Sequence, residues 1–259
     1  MEKVEMPKNP EFKPNVHITA LFTRHAQYDK TGLTREGYEE ASQFGDTLDL
    51  EAVIKSYAGP MPRLELTATT IVESSQAEKK LMQRPREHLS GDSIFDAEKS
   101  LYLKELLQDL GNTKKLPKEE QEAAANKIRE EFVDKWIVCH DQRPDEGTKA
   151  PLEIARNMAH MLKRYIDMPK KNIKSGSNIT LVNVCNEPMI AVFLRYLLRQ
   201  EKAGTVEEGQ ELYTNRKPIR YLDTVAFDIR TDQNGKRSVS ALFRGEQYDI
   251  SDLQPFLKE

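Results

Sequence analysis

The sequence predicts an α/β protein with a mostly parallel central sheet, helices on both faces and a helical insertion. Apolar, β-branched segments at 16–23 and 178–184 are typical of strands buried on both faces. Segments with helical periodicity separate them, together with a further short strand at 52–57. Alternating strands and helices favour a sheet covered on both faces, and such sheets bind ligands beyond the carboxyl ends of their strands.

The first third of the chain is predicted to form a strand, a helix, a strand and a helix. The strand at 16–23 is followed by Thr34, a good N-cap for a helix. After the second strand, at 52–57, a turn at 59–62 contains glycine and two prolines. A second helix is predicted from about 63 to 82.

Residues 84–150 differ from this pattern and predict a helical insertion over one edge of the sheet. The segment 119–136 is highly charged, with Ile128, Phe132 and Trp136 at helical spacing. Inserts at the carboxyl side of such sheets carry specificity, so we expect this one to shape the mouth of a substrate site.

The last part of the chain returns to alternating helices and strands. Pro188 suits the first turn of a helix. An Asn234-Gly235 turn predicts that the last two strands are paired as a hairpin. The predicted elements are a helix at 152–166, a strand at 178–184, a helix at 189–199, and strands at 224–230 and 238–244.

Length and composition favour one large domain. The chain has 259 residues, 38% of them hydrophobic, which is sufficient for one substantial core. The first residues are polar and contain Pro7 and Pro10. We therefore expect a flexible tail at 1–13 and a single domain at 14–259.

The charge balance gives no reason to propose nucleic acid or a membrane as a partner. Lysine and arginine number 39 against 42 aspartate and glutamate, a formal net charge of −3. The longest apolar run, at 189–198, is too short to span a bilayer and contains Arg195.

Cysteine usage and the N-terminus predict a reducing, cytoplasmic location. Cys139 and Cys185 are too few for a disulfide framework, and no cluster of other ligands surrounds them in the sequence. Residues 1–13 hold no apolar segment of the kind that a secretory signal needs. Nothing in the sequence implies a metal or an organic cofactor.

Two polar pairs follow the predicted buried strands. Arg24-His25 comes after the first strand, and Asn186-Glu187 comes after the strand at 178–184. Because both pairs fall at carboxyl ends of strands, we expect them to converge although they are far apart in sequence.

The sequence around the first pair resembles the histidine phosphatase (phosphoglycerate-mutase-like) superfamily. Thr23-Arg24-His25-Ala26-Gln27 is followed by Leu33-Thr34-Arg35-Glu36-Gly37, which matches the family's Arg-His step and its Leu-Thr-x-x-Gly helix start. The resemblance implies that His25 accepts the phosphoryl group and that Arg24 binds phosphate.

A second stretch resembles the same family. Pro60-Met61-Pro62-Arg63, followed by Thr67-Ala68, is similar to its Ser-Pro-x-x-Arg-x-x-x-Thr-Ala segment, with Ala58-Gly59 in place of the serine. The resemblance implies that Arg63 is the second phosphate-binding arginine.

Two carboxylates are assigned by looser resemblances. Leu103-Lys104-Glu105 is similar to the family's Leu-x-Glu segment, which implies that Glu105 is the general acid. Glu146 resembles the glutamate of its Gly-Glu-Ser position. Should Glu105 not serve, Glu187 is the alternative acid.

The second catalytic histidine of the family has no counterpart here. When Pro188 and Ile190 are aligned with the family's His-x-Pro-x-Ile, Asn186 stands at the histidine position. Three interpretations are open: a natural loss of the histidine, a substitution engineered to trap a ligand, or an offset of one residue that places Cys185 there. Asn186 can donate a hydrogen bond to a phosphoryl oxygen but transfers no proton.

Phosphoryl transfer needs a nucleophile, cationic donors around the phosphate and an acid for the leaving oxygen. His25, the two arginines Arg24 and Arg63, and one of the glutamates meet these needs. The resulting hypothesis is a phosphomonoester hydrolase that forms a phosphohistidine and acts on a small phosphorylated metabolite or a phosphoprotein. The alternatives are a pseudophosphatase that binds phosphorylated ligands and a mutase that needs a phosphorylated primer.

Overall fold

A computed structural model of the chain describes residues 12–48, 52–91, 94–171, 173–197 and 219–250. Within these residues the strands are β1 (His17–Arg24), β2 (Val53–Ala58), β3 (Lys79–Pro85), β4 (Asn178–Cys185), β5 (Thr224–Thr231), β6 (Arg237–Phe243) and β7 (Glu246–Asp249). The helices are α1 (Arg35–Asp46), α2 (Pro62–Ser74), α3 (Leu101–Thr113), α4 (Lys118–Ile137), α5 (Pro151–Lys171) and α6 (Glu187–Val192). A 3₁₀ turn at Glu87–Leu89 and a π-helical turn at Phe193–Leu197 complete the described elements.

The described strands form one seven-stranded mixed sheet in the order β3-β2-β4-β1-β5-β6-β7. The first four of these strands run parallel to one another. Strands β5, β6 and β7 continue the sheet in antiparallel pairs. The predicted α/β class is confirmed, and the parallel strands bring the carboxyl ends of β1, β2 and β4 to one edge.

Helices cover both faces of the sheet because the central strands alternate their apolar side chains between two layers. On one face, Ile54 and Val182 pack in a cluster with Ile71 of α2. On the other face, Phe22 and Leu181 belong to a larger cluster that includes residues of α4, α5 and α6. The strands are therefore buried on both sides, as their near-continuous apolar sequences predict.

The predicted insertion is helical and is part of the larger core. Helices α3 and α4 meet through Tyr102 and Phe132, whose ring centroids are 4.5 Å apart. Trp136 is fully buried, and its indole Nε1–H donates to the carbonyl of Lys149 at 2.9 Å. The helical spacing of Phe132 and Trp136 in the sequence thus marks the face that anchors α4.

The predicted helix at 63–82 is wrong in its second half. Helix α2 ends at Ser74, and Lys79–Pro85 is the edge strand β3. An edge strand can carry charged side chains such as Lys79, Lys80 and Arg84, so it lacks the alternation that would identify it. The short strand β7 at the other edge is likewise absent from the sequence prediction.

The end of the expected N-terminal tail is packed on the domain. Residues 1–11 lie outside the described residues, whereas Phe12 is buried with Lys170 and Arg237 above its ring at 4.8 and 4.9 Å. The backbone N–H of Lys13 donates to the carbonyl of Pro169 at 2.9 Å. The division of the chain into a tail and one domain stays a prediction.

Among the described residues, no helix is both long enough and apolar enough to cross a membrane.

Candidate active site

The two polar pairs meet at the carboxyl edge of the sheet, as predicted. Strands β1 and β4 are parallel neighbours in a register that sets Arg24 opposite Cys185. The backbone N–H of His25 donates to the carbonyl of Cys185 at 3.1 Å. His25 and Asn186, the residues that directly follow these two strands, therefore lie side by side.

A cavity of about 750 Å³ covers this edge of the sheet. Its polar wall comes from the ends of β1 and β4, from the start of α2 and from a loop before β5. Its opposite wall comes from the insertion. The polar wall includes Arg24, His25, Tyr28, Arg63, Asn186, Glu187 and Tyr221, and the insertion wall includes Leu103, Leu106, Leu110, Arg129, Phe132 and Val133.

His25 is buried and uncharged. Burial, together with the positive charges of Arg63 and Arg24, lowers the pKa of its imidazole from 6.5 to about 3. Its Nδ1 lies 2.9 Å from the carbonyl oxygen of Ala26. Because a carbonyl only accepts hydrogen bonds, Nδ1 carries the proton, and Nε2 keeps its lone pair.

Arg24 is held between an acid and an aromatic ring. Its Nη2 forms an ion pair with Oε2 of Glu187 at 3.2 Å. Its guanidinium lies over the ring of Tyr221, 4.5 Å from the centroid, and its Nη1 donates to the carbonyl of Ile219. The Nε of Arg24 is buried and has no hydrogen-bond partner among the described residues, which is unusual for a polar group in a protein interior.

Arg63 reaches the cavity from the first turn of α2. Its Nη2 donates to Oδ1 of Asn186 at 3.3 Å, and its guanidinium lies 5.3 Å from the ring centroid of Tyr28. The hydroxyl of Thr67 donates to the Arg63 carbonyl at 2.7 Å and accepts from the N–H of Ala26 at 3.1 Å. Thr67, one of the motif residues, therefore ties the start of α2 to the end of β1.

Asn186, and not Cys185, faces the cavity. Cys185 is fully buried, its thiol contacts the carbonyl of Thr23 at 3.5 Å, and burial raises the pKa of that thiol. Asn186 lines the cavity and contacts Arg63. The interpretation that places Cys185 at the histidine position through an offset of one residue therefore has no support in the geometry.

Two of the glutamates singled out in the sequence lie away from this cavity. Glu105 is exposed on α3 and lines a separate narrow crevice between α3 and α4. Glu146 is exposed and forms an ion pair with Lys99 at 3.3 Å. Of these three glutamates, Glu187 is the one that lines the cavity with His25.

Several cavity residues were not predicted from the sequence. Tyr28 and Tyr221 flank the imidazole of His25, with centroid distances of 6.2 and 5.7 Å. Both lie in loops, whose course the sequence does not define. Arg129 belongs to the charged run 114–135, which from the sequence is most simply a solvent-exposed helix face, and it is exposed. It also lines the cavity, because it precedes Phe132 and Val133 by three and four residues and shares their face of α4.

No group of three or more His, Cys, Asp or Glu side chains that could hold a metal is present in the described part of the chain.

No protein-family model matches the chain, and no curated protein matches it. Solved structures with a similar fold include phosphoglycerate mutase from Bacillus anthracis str. Sterne, which is 14% identical with a TM-score of 0.48; the match covers 90% of this chain and 94% of that one. A mycobacterial glucosyl-3-phosphoglycerate phosphatase is 12% identical with a TM-score of 0.48, over 91% of this chain and 99% of that one. A protein described as mycobacterial hydrolase 1 is 14% identical with a TM-score of 0.48, over 89% and 100%.

Proposed function

We propose that the chain is a phosphomonoester hydrolase of the histidine phosphatase type, which works through a phosphohistidine at His25. The observation that carries the proposal is the state of the His25 imidazole. Its Nδ1–H donates to the Ala26 carbonyl, burial keeps the ring neutral, and Nε2 retains a lone pair, with Arg24 and Arg63 near enough to act on the ring electrostatically. A neutral imidazole flanked by guanidinium groups is suited to attack a phosphorus atom whose oxygens need cationic donors.

The arginines supply donors for the phosphate. A guanidinium can bind two phosphate oxygens at once, which an ammonium cannot. Arg24 has a buried Nε without a partner among the described residues, and a phosphate oxygen would satisfy it. Arg63 has only neutral hydrogen-bond partners among those residues, the Asn186 amide oxygen and the Met61 sulfur.

The reaction proceeds in two steps. Nε2 of His25 forms a bond to phosphorus while the bond from phosphorus to the ester oxygen breaks, and Glu187 protonates the departing alkoxide. Water then attacks phosphorus and gives up a proton to Glu187, the phosphorus–nitrogen bond breaks, and inorganic phosphate and neutral His25 are released. Glu187 is a carboxylate while it is paired with Arg24. When Arg24 turns to the phosphate, Glu187 takes up the proton of the monoanionic substrate phosphate, and it is this proton that it passes to the departing oxygen.

The rate of phosphate ester hydrolysis that we expect depends on Asn186. It can donate a hydrogen bond to a phosphoryl oxygen, but it adds no charge where a histidine would. Removal of one electrostatic partner of a transition state typically costs roughly 100- to 1,000-fold in rate. Slow turnover is therefore expected, and the same observation favours the second candidate, a pseudophosphatase that binds a phosphorylated ligand without hydrolysing it.

The first experiment measures phosphate release from p-nitrophenyl phosphate by the chain as given, by His25→Ala and by Asn186→His. We expect slow release by the given chain, none by His25→Ala, and an increase of roughly 100-fold in Asn186→His, because the imidazolium adds a charged donor. The matched control is His160→Ala. His160 is exposed on α5 and does not line the cavity, so this variant should behave like the given chain.

Two results would count against the hydrolase. Release that persists in His25→Ala would remove His25 from the nucleophile's role. Phosphate release by Asn186→His alone would show that the given chain is the second candidate, a pseudophosphatase that binds its ligand in the same pocket.

A further inference from the structure

The cavity extends beyond the candidate phosphate site along the insertion wall, which is mostly apolar apart from Asn126 and Arg129. Leu103, Leu106 and Leu110 of α3 line it. Their spacing of three and four residues places them on one face of the helix. Leu107 neighbours them on α3, but it is 58% exposed and is not part of the cavity wall.

Helix α4 and the segment before α3 extend the same apolar wall. Phe132 and Val133 of α4 and Phe95 line the cavity together with the leucines. The rings of Phe95 and Phe132 contact each other, with centroids 5.6 Å apart. The wall is therefore held in place by packing within the insertion.

Three arginines of the cavity lie close enough to His25 to affect its charge. Arg24, Arg63 and Arg129 all act electrostatically on His25 and lower its pKa. Arg129 donates to the amide oxygen of Asn126 on its own helix at 3.0 Å. This partner is neutral and does not offset the positive charge of the guanidinium. An occupant of the whole cavity needs an anionic group at one end and an apolar body at the other.

We propose that the substrate is the phosphate monoester of an apolar alcohol, whose hydrocarbon part lies against the α3–α4 wall while its phosphate lies between Arg24, His25 and Arg63. This inference rests on the proposed function, because it takes the arginines to be the phosphate site. It adds the chemistry of the leaving group. The phosphate of a sugar or of a polyol would place hydroxyl groups against leucine and phenylalanine side chains, where they would lose hydrogen bonds to water without replacement.

A series of n-alkyl phosphates from ethyl to octyl tests the inference. The departing primary alcohols have nearly the same reactivity, so differences in kcat/KM report contacts of the chain with the protein. Transfer of one methylene group from water to an apolar site is worth about fourfold in binding. We expect kcat/KM to rise by about that factor for each methylene added up to hexyl, and glycerol phosphate to be no better than ethyl phosphate.

Variants of α3 test whether the dependence of kcat/KM on chain length arises at the apolar cavity wall. Leu103→Gln and Leu110→Gln replace apolar cavity side chains with polar ones of similar size on a helix that tolerates glutamine. Each should lower the octyl-to-ethyl ratio of kcat/KM by roughly tenfold, since about two methylene contacts are lost. Leu107→Gln, the same change on the same helix outside the cavity, should leave the ratio as it is.

The outcomes distinguish a failure of this inference from a failure of the proposed hydrolase function. Equal kcat/KM along the series, with phosphate still released from p-nitrophenyl phosphate, would overturn the inference alone. If no alkyl phosphate is hydrolysed, calorimetric binding of n-alkylphosphonates decides: tighter binding with chain length supports the inference for a binding protein, and chain-independent binding overturns it. Absence of both phosphonate binding and p-nitrophenyl phosphate turnover would overturn the inference and the hydrolase together.

Discussion

At the scale of single residues, the chemistry depends on how His25 is buried. The ring has one short polar contact, to the Ala26 carbonyl, and its positive neighbours include Arg24, Arg63 and Arg129. Protonation of this ring would cost free energy, because the resulting positive charge would be removed from water and repelled by the arginines. The resting ring therefore stays neutral at acidic pH, and this state has a consequence for stability.

The free energy of unfolding should depend on pH through His25. Its pKa is about 3 in the folded protein and 6.5 ordinarily, so between these values the unfolded chain binds a proton that the folded chain does not. Stability is then lost as the pH falls from 6.5 toward 3, with a slope of about 1.4 kcal/mol per pH unit for one proton. Urea unfolding of the given chain and of His25→Gln at pH 4 to 7 measures this, and the variant should lack that part of the slope.

A control keeps the pH experiment specific. His160→Gln removes an exposed histidine and should retain the slope of the given chain. If the given chain and His25→Gln have parallel profiles, the His25 ring is not kept neutral by burial.

Glu187 should act on the leaving group. If it protonates the departing oxygen, Glu187→Gln should lower kcat roughly 100-fold or more for an alkyl phosphate, whose alkoxide needs a proton. For p-nitrophenyl phosphate the loss of kcat should be much smaller, because nitrophenolate departs without being protonated.

The control is Glu105→Gln, an exposed change on α3 that should affect neither substrate. An equal loss of kcat on both substrates in Glu187→Gln would limit the role of Glu187 to holding Arg24.

At the scale of elements, the motif residues that open α1 have structural reasons for their identities. The hydroxyl of Thr34 accepts from the N–H of Gly37 at 3.0 Å, as its predicted cap role requires. The N–H of Thr34 donates to the carbonyl of Gln27 at 3.1 Å. The first turn of α1 is thus pressed against the loop that follows His25, and a Cβ added at Gly37 would lie 2.1 Å from the Gln27 carbonyl oxygen.

Two glycine substitutions should change stability in opposite directions. Gly37→Ala forces the backbone of α1 away from the His25 loop, and overpacking of this kind costs roughly 1–3 kcal/mol. Gly111→Ala, in α3 where an added Cβ meets no atom within 4 Å, should stabilise the protein by about 0.5–1 kcal/mol through helix propensity. Chemical denaturation measures both; a neutral Gly37→Ala would show that this contact is not tight.

The same scale explains which elements the sequence could predict. β1 and β4 are buried on both faces, so their sequences are nearly continuous runs of apolar residues. Helix α5 was predicted over 152–166 but continues to Lys171 with Pro169 inside it. Proline is a signal to end a helix, and here local sequence alone gave the wrong boundary.

At the scale of the whole molecule, the sequence predicted the order of the interior strands and their helices, though not the edge strands β3 and β7, and it predicted the meeting of Arg24-His25 with Asn186-Glu187. It could do so because every parallel strand ends at the same edge of the sheet. It could not predict which side chains of the insertion face that edge, because this depends on the packing of α3 and α4 against the core. Glu105 and Arg129 illustrate this limit: Glu105 is exposed away from the cavity, whereas Arg129 is exposed and also lines the cavity.

The position of β1 has a consequence for how the protein is made. Strand β1 is an interior strand of the sheet, and its two neighbours are synthesised much later than β1: Leu21 bonds Asn183, 162 positions away, and His17 bonds Asp228, 211 positions away. Contacts of such long sequence separation make folding slow, since long chain segments must be closed into loops before these contacts form. Both edges of β1 thus stay without their native partners until β4 and β5 have been synthesised, and a ribosome that stalls before residue 178 leaves an apolar strand open to aggregation.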